Sequence, residues 1–482
     1  MTAAVVVVGN GMAGARFAAE LRAREPRRPI VVFGAEPGRA YNRILLSDLL
    51  AGKIAEDDLA LAEPPGALDL RTDVEVVSID PVSRTVEASD GSRTRYDALV
   101  LANGSRGVVP PIDGLWQDEE TLLDGAATFR TLADCRQILA HARDAREVVV
   151  LGGGLLGLEA ARGLATRGLS VQVVHARGQL MERQLDGEAS RILIQTLAEF
   201  GVRVRLDAVT TAVIGEDRVR GVVLEDGSRI PADLLVIACG VRPKIDLAVK
   251  AGLQVNRGIV VDDSMRTSDP SIYAIGDCAE HRGRVYGLVA PAWEQARVAA
   301  EVICGGGAAY AGSRLVTRLK ASGVDLAAMG DPHVDDESAE VVVFADPARR
   351  TYQKVVIRDQ RLVGAILLGD NPTVGTVTQL FDRDAAVPAD PRSLLFGRAG
   401  GTPTESAGAL AAESTVCRCN GVTAGAIVRA WLGGARTVTE VSAMTRAGTG
   451  CGGCRDTIEG FVATLATDAD LDTTSRPEEV VA

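Results

Sequence analysis

Two copies of one pattern, and a cluster of cysteines at the end of the chain, predict an α/β fold with an added metal-binding module. The first copy is a β-branched run at 3–8, the turn Gly9-Asn10-Gly11-Met12-Ala13-Gly14, a helical stretch at 15–24 and a strand at 30–33, with Glu36 beyond it. The second is a strand at 147–151, the turn Gly152-Gly153-Gly154-Leu155-Leu156-Gly157, a helix at 158–167 and a strand at 170–175. Strand, glycine turn, helix and strand make the Rossmann-type unit, in which amides at a helix N-terminus take a pyrophosphate. Two such units imply two nucleotide sites. Four of the eight cysteines then fall in one short segment, as Cys417-Arg418-Cys419 and Cys451-Gly452-Gly453-Cys454.

The 482 residues are too many for one domain. The composition, 46% hydrophobic and 24% charged, is that of a globular protein. A net charge of −12 argues against nucleic acid as a partner. The first residues carry no basic n-region, and Gly9 ends their apolar run, so they read as a buried strand and not a signal peptide. No stretch reaches the roughly 18 apolar residues of a membrane span. The expected setting is therefore soluble and cytoplasmic, where clustered cysteines are metal ligands or catalysts sooner than disulfides.

The remaining elements follow from local pattern. Segments 74–79 with 85–88, and 202–206 with 219–224, read as short antiparallel connections. Segments 97–102 and 233–239 read as buried strands, each ending at a glycine. Alternating runs between 308 and 395 predict an antiparallel sheet. The expected domains are a first nucleotide domain (1–115 and 241–305), a second inserted within it (116–240), and an α+β domain (306–398). A Gly/Ala/Thr/Ser-rich linker (399–414), a metal-binding module (415–466) and an acidic, disordered tail (467–482) complete the chain.

Glu36, 22 residues after Gly14, suits a ribose hydroxyl. The second unit has no such acid and ends Val174-His175-Ala176-Arg177. His175 and Arg177 suit the 2′-phosphate of NADPH, and equally a strand-end histidine and a solvated arginine, so NADH and NADPH both stay open. The four clustered thiolates suit a [2Fe–2S] cluster, with a tetrahedral zinc site and a disulfide pair as competitors. Arg418, Arg446 and Arg455 are placed to offset cluster charge. Cys135, Cys239, Cys278 and Cys304 are isolated and read as buried packing residues.

Several motifs together resemble the two-dinucleotide-domain, glutathione-reductase-like flavoprotein reductases. They are Tyr41-Asn42-Arg43-Ile44-Leu45-Leu46-Ser47, Ala102-Asn103-Gly104-Ser105, Met181-Glu182-Arg183-Gln184-Leu185-Asp186 and Tyr273-Ala274-Ile275-Gly276-Asp277. The chain is similar to the NAD(P)H diaphorase part of assimilatory nitrite reductase large subunits and to the electron-transfer subunits of assimilatory nitrate reductases. The likeness runs over about 3–460, and the C-terminal module resembles the bacterioferritin-associated-ferredoxin-like domain.

The resemblance implies FAD held at its ADP half by Gly9, Gly11, Gly14 and Glu36. Arg43 and Ser47 would lie along the flavin, and Gly104 in the turn where the family usually carries Thr at position 103. Gly276 and Asp277 would meet the ribityl chain, and Trp293 and Gln295 the isoalloxazine. Gly152, Gly154 and Gly157 would hold NADH or NADPH, with Glu159 near hydride transfer. Cys417, Cys419, Cys451 and Cys454 would hold the [2Fe–2S] cluster.

Related disulfide reductases and NADH oxidases carry a redox cysteine near positions 40–50, and this chain has none there. The expected route is a hydride from NAD(P)H to flavin, single electrons to the cluster, then a separate nitrate or nitrite reductase catalytic subunit. No cysteines remain for a sirohaem domain, so nitrite reduction by this chain alone is not expected. The rival readings are a ferredoxin-reductase-type or NADH-oxidase-type flavoenzyme for another acceptor, and an iron-handling ferredoxin-like binding module. The sequence leaves a homo-oligomer open.

Overall fold

In the computed structural model, residues 4–474 are described apart from 64–65, 320, 322, 335–336, 397–411, 413, 418–419 and 449–453. The chain forms two compact units, Met1–Arg314 with Ala321–Val324, and Leu315–Lys320 with Asp325–Ala482.

Continuous β-branched runs are buried on both faces in the first unit, as parallel strands require. Strand β1 (Ala4–Val8) leads through the first glycine turn into helix α1 (Met12–Arg24) and strand β2 (Ile30–Gly34). β1 pairs in parallel with β2 and with β3 (Arg93–Leu101), which sets Val6 beside Val31 on one side and Leu99 on the other. Phe17, Ala18 and Leu21, one face of α1, close the core over Val5–Val7.

The inserted domain repeats the arrangement with β4 (Glu147–Leu151), α2 (Leu155–Thr166), β5 (Ser170–Val174) and β6 (Leu234–Ile237). Its sheet has β4 between β5 and β6, all parallel. Val202–Arg205 is its edge strand, paired in parallel with β5. This corrects the expected pairing of 202–206 with 219–224. Gly221–Leu224 pairs instead with Thr210–Ile214. Helix α3 (Val289–Ile303) returns to pack on α1. The two crossings between the domains form a ribbon, Ser105–Gly107 against Val241–Pro243.

Residues 306–314 belong to the first unit, not to the α+β domain expected from 306. Tyr310 is buried there, and its N–H donates to the Asp263 carbonyl at 2.7 Å.

The second unit begins with a five-stranded antiparallel sheet, backed by Val377 and Phe381 of the helix Val374–Asp382. A smaller cluster follows, with Ile427, Val441, Ile458 and Phe461 at its centre. Within the expected linker, 397–411 and 413 lie outside the described residues. Ala412 and Ser414 are tied to this cluster by N–H bonds from Gly425 and Ala424, both 2.8 Å. The tail expected to be disordered from 467 is helical to Thr474, because the helix Arg455–Thr474 is nucleated on buried Ile458 and Phe461 and propagates from there. Residues 475–482 lie outside the described residues.

Candidate nucleotide and cluster sites

The two glycine turns share one steric solution. Gly9 has φ 115°, and a Cβ there would lie 2.2 Å from the Ala102 carbonyl oxygen. Gly152 has φ 110°, and its Cβ would lie 2.3 Å from the Ala238 oxygen. A Cβ on Gly14 or on Gly157 would lie 1.9 Å from the oxygen of Gly9 or Gly152. These four positions demand glycine so that the strand end, the turn and the helix can close. Gly11 and Gly154 are different. Each precedes its helix in extended conformation, leaving the N-terminal amides open.

Side chains above the turns differ. At the first, Arg43 stands over Gly11, its Nε 3.9 Å from where a Cβ would be. Arg43 also forms a close ion pair with Glu36, which accepts from the Tyr41 hydroxyl at 2.6 Å. Glu36 thus keeps its place beyond β2 through two partners, and Arg43 bridges from it to the glycine turn. Ser47 is buried with its hydroxyl turned back to the Ile44 carbonyl at 3.4 Å. Its helix, Leu46–Leu50, packs on α2, where a Cβ on Gly163 would be 3.5 Å from the Ser47 oxygen. Glu159 is buried in the second turn of α2.

Asp277 is set by a network that the sequence did not disclose. It accepts from the Ser105 hydroxyl at 2.9 Å and pairs closely with Arg130, which also donates to the Ser105 oxygen at 2.7 Å. Arg130 is held by the capping box that follows it. Asp134 accepts from the N–H groups of Arg130 and Thr131 at 2.8 and 2.9 Å, and Thr131 accepts from Asp134. The T-x-x-D capping signal was readable; the reach of Arg130 across 147 residues to Asp277 was not.

Gly276, at φ 78°, donates its N–H to the buried Gln295 at 2.8 Å, so α3 is tied to the Asp277 turn. The Trp293 indole N–H donates to the Met12 carbonyl at 3.1 Å, and Arg16 lies 5.1 Å over its ring. Trp293 therefore pins α3 to the start of α1. Gly104 has φ 72° in the turn before Ser105, and Asn103 donates to the Lys244 carbonyl at 2.9 Å, which is what Asn supplies in place of Thr.

At the second turn, His175 Nδ1 accepts the Gly153 N–H at 3.1 Å, and its Nε2 faces Glu182 at 3.4 Å. Arg177 is exposed. Glu182 was part of a motif noted in the sequence but was given no role there.

The isolated thiols divide. Cys135 and Cys278 are fully buried, and burial pushes them up to about 12 and about 11. Cys278 donates to the Ile275 and Leu101 carbonyls at 3.3 and 3.4 Å. Such thiols are poor redox groups. Cys304 is only partly buried. Cys239 is exposed, against the expectation of burial, because it lies two residues beyond the end of β6, past the Ala238 carbonyl that crowds Gly152.

In the small C-terminal cluster, Cys417 and Cys454 are buried together. A hydrogen bond from Cys454 lowers the Cys417 thiol to about 7, against the opposing effect of burial, and the N–H groups of Gly448 and Asn420 assist. The Asn420 side chain donates to the Cys417 sulfur at 3.6 Å and to the Arg446 carbonyl at 2.6 Å. Buried sulfurs supplied with amide donors fit thiolate ligands of a cluster. Cys419 and Cys451 lie outside the described residues, and among the described residues no group of three His, Cys, Asp or Glu side chains forms a metal cage.

Residues 3–301 match the family model of pyridine nucleotide-disulphide oxidoreductases. The chain belongs to this family. Residues 316–383 match the rubredoxin NAD+ reductase C-terminal domain, and 415–464 the BFD-like [2Fe-2S] binding domain. The groups that go with this combination are FAD, a nicotinamide nucleotide and a [2Fe–2S] cluster.

Over 97% of its length the chain is 40% identical to a nitrite reductase [NAD(P)H] of Bacillus subtilis, covering 58% of that protein. Over 95% of its length it is 38% identical to the assimilatory nitrate reductase electron transfer subunit of the same organism, covering 59%. The chain thus spans less than two thirds of these relatives. A ferredoxin reductase from Rhodopseudomonas palustris superposes with a TM-score of 0.73 at 29% identity, over 81% of this chain and 97% of that one. Among the described residues no helix is long and apolar enough to cross a membrane.

Proposed function

We propose that this chain is an NAD(P)H-dependent electron-transfer component that delivers single electrons to a separate reductase subunit in nitrate or nitrite assimilation. FAD supplies acceptance of a hydride and release of electrons one at a time, and a [2Fe–2S] cluster supplies a one-electron carrier.

The residues divide this work. Gly9, Gly14 and the N-terminal amides of α1 receive the pyrophosphate, and Arg43 adds positive charge over it. Glu36 takes the adenosine ribose, and Asp277, neutralised by Arg130, takes a ribityl hydroxyl. Gln295 fixes the Gly276 turn against the start of α3. Gly152, Gly157 and the amides of α2 receive the nicotinamide nucleotide, whose reactive end falls to buried Glu159. Positioning, not acid–base chemistry, carries the rate.

The observation that carries the proposal is the contrast among thiols. No cysteine lies at 40–50, and Cys135 and Cys278 are each buried alone, whereas Cys417 and Cys454 are buried in one cluster with the Asn420 amide donating to the Cys417 sulfur. The outlet for electrons is therefore assigned to the C-terminal module. The names of the two Bacillus subtilis relatives point to nitrate or nitrite reduction as the destination.

The test mixes NAD(P)H, the FAD- and cluster-loaded chain, and a nitrate reductase or nitrite reductase catalytic subunit under anaerobic conditions. Product formation that depends on all three components is the expected result. A chain that reduces small dyes but neither subunit would refute the assignment of partner.

A further inference from the structure

The second nucleotide unit departs from the first where the adenosine ribose binds. Beyond β2 stands Glu36; beyond β5 stands His175. The ring of His175 is already engaged. Its Nδ1 accepts the Gly153 N–H at 3.1 Å, which assigns the proton of the neutral ring to Nε2. Nε2 is buried, makes no hydrogen bond, and lies 3.4 Å from a Glu182 carboxylate oxygen.

Glu182 is brought there by backbone geometry. Met181 adopts φ 49°, a left-handed conformation that a non-glycine residue rarely takes. Its N–H donates to the Gly153 carbonyl at 3.0 Å. The two polar groups of Gly153 therefore anchor His175 and Met181 respectively. The Leu180 side chain and the His175 ring close over Gly153, 2.5 and 2.9 Å from where its Cβ would lie. The segment after β5 is folded back onto the glycine turn, and the next side chain, Glu182, reaches the strand end.

We infer that Glu182, delivered by the loop and backed by His175, is the carboxylate that receives the adenosine ribose of the nicotinamide nucleotide, and that it selects NADH over NADPH. This rests on the second turn being the nicotinamide site. Each ribose hydroxyl both donates and accepts. Half-exposed Glu182 offers acceptors to both hydroxyls of the diol, and the buried His175 ring stands behind it. A 2′-phosphate brings acceptors only and is doubly charged near neutral pH. It would face the Glu182 carboxylate, which is a repulsive element against the wrong substrate. Arg177, the residue suited to that phosphate, is exposed, and its carbonyl accepts the Asp207 N–H at 3.1 Å.

The test is calorimetric titration of the FAD-loaded chain with NAD+ and NADP+, neither of which turns over. Glu182 is half-exposed, so its substitution spares the core. Wild type should bind NAD+ more tightly than NADP+ by about a hundredfold, and Glu182→Gln should weaken NAD+ about tenfold, the worth of one hydrogen bond to a charged group. Glu182→Arg should tighten NADP+ and reverse the preference. Equal affinity of wild type for the two nucleotides would overturn the inference. So would an unchanged NAD+ affinity in Glu182→Gln combined with loss of NADP+ binding in Arg177→Ala, which makes Arg177 the reader. Binding of neither nucleotide would instead remove the nicotinamide site itself.

Discussion

The first and second glycine turns are the same backbone with different company. Both hold a glycine at φ above 100° under the carbonyl of a neighbouring strand end, and both bring a second glycine to the oxygen of the first. Over the first stands Arg43, locked to Glu36 and joined through the Arg130 carbonyl to the Asp277 network. At the second, among the described residues, nothing lies within 4 Å of a Cβ on Gly154. The backbone solves the problem of approaching a pyrophosphate. On the proposed function, the side chains over each turn are what would separate a resident FAD from an NAD(P)H that leaves after each turnover.

The strongest way to break this comparison is to fill both turns. Gly14→Ala and Gly157→Ala each put a methyl 1.9 Å from a carbonyl oxygen. Each should cost about 3 kcal/mol, the upper range for overpacking. Gly14→Ala should purify without flavin. Gly157→Ala should keep its flavin yet fail to bleach on mixing with NADH. Gly154→Ala meets no neighbour and should cost under about 1 kcal/mol. Absorbance of purified protein and thermal melts check all three, and normal flavin content in Gly14→Ala would end the assignment of the first turn.

Arg130→Ala sharpens the contrast, because only the first site has this arginine. It leaves the largely buried Asp277 carboxylate with a single hydroxyl donor among its known partners. Removing one partner of a buried pair costs about 3 kcal/mol. Flavin dissociation measured by ultrafiltration should rise steeply, while NAD+ binding by the flavin-loaded variant stays close to wild type. Equal loss at both sites would mean that Arg130 supports the fold and not the flavin site.

The smallest effect is expected from Cys278→Ser. The thiol lies beside Asp277 yet is buried, pushed up to about 11, and bonded to two carbonyls that a hydroxyl can also serve. Dye reduction should be unchanged. A clear loss would give this thiol the redox role that its surroundings deny it.

The parts legible in the sequence were those set by short-range pattern. Gly9 to Gly14 and Gly152 to Gly157 declare themselves by spacing, and β1 and β4 by unbroken β-branched runs. The second nucleotide domain announces itself through a second copy of the same signal, which β4 begins. What escaped depends on contacts that no local pattern encodes. Arg130 meets Asp277 from 147 residues away. Glu182 reaches the strand end only because Met181 takes a left-handed conformation. The strand Val202–Arg205 has the alternation of an antiparallel ribbon, but the edge of the parallel sheet claims it. Trp293 reads as a flavin neighbour only through the resemblance, and the bond from its indole N–H to the Met12 carbonyl is likewise beyond local pattern. The acidic stretch after 467 reads as disordered by composition, yet the helix anchored at Ile458 and Phe461 carries through to Thr474.

The relay from nicotinamide to cluster is tested most directly by rapid anaerobic mixing of NADH with the loaded chain, following flavin and iron–sulfur absorption, for wild type and Cys454→Ser. Wild type should bleach at both bands and pass electrons to a protein acceptor. Cys454→Ser should bleach its flavin at the wild-type rate and pass none. Acceptor reduction at the wild-type rate by Cys454→Ser, or a wild-type cluster left oxidised by NADH, would contradict the account.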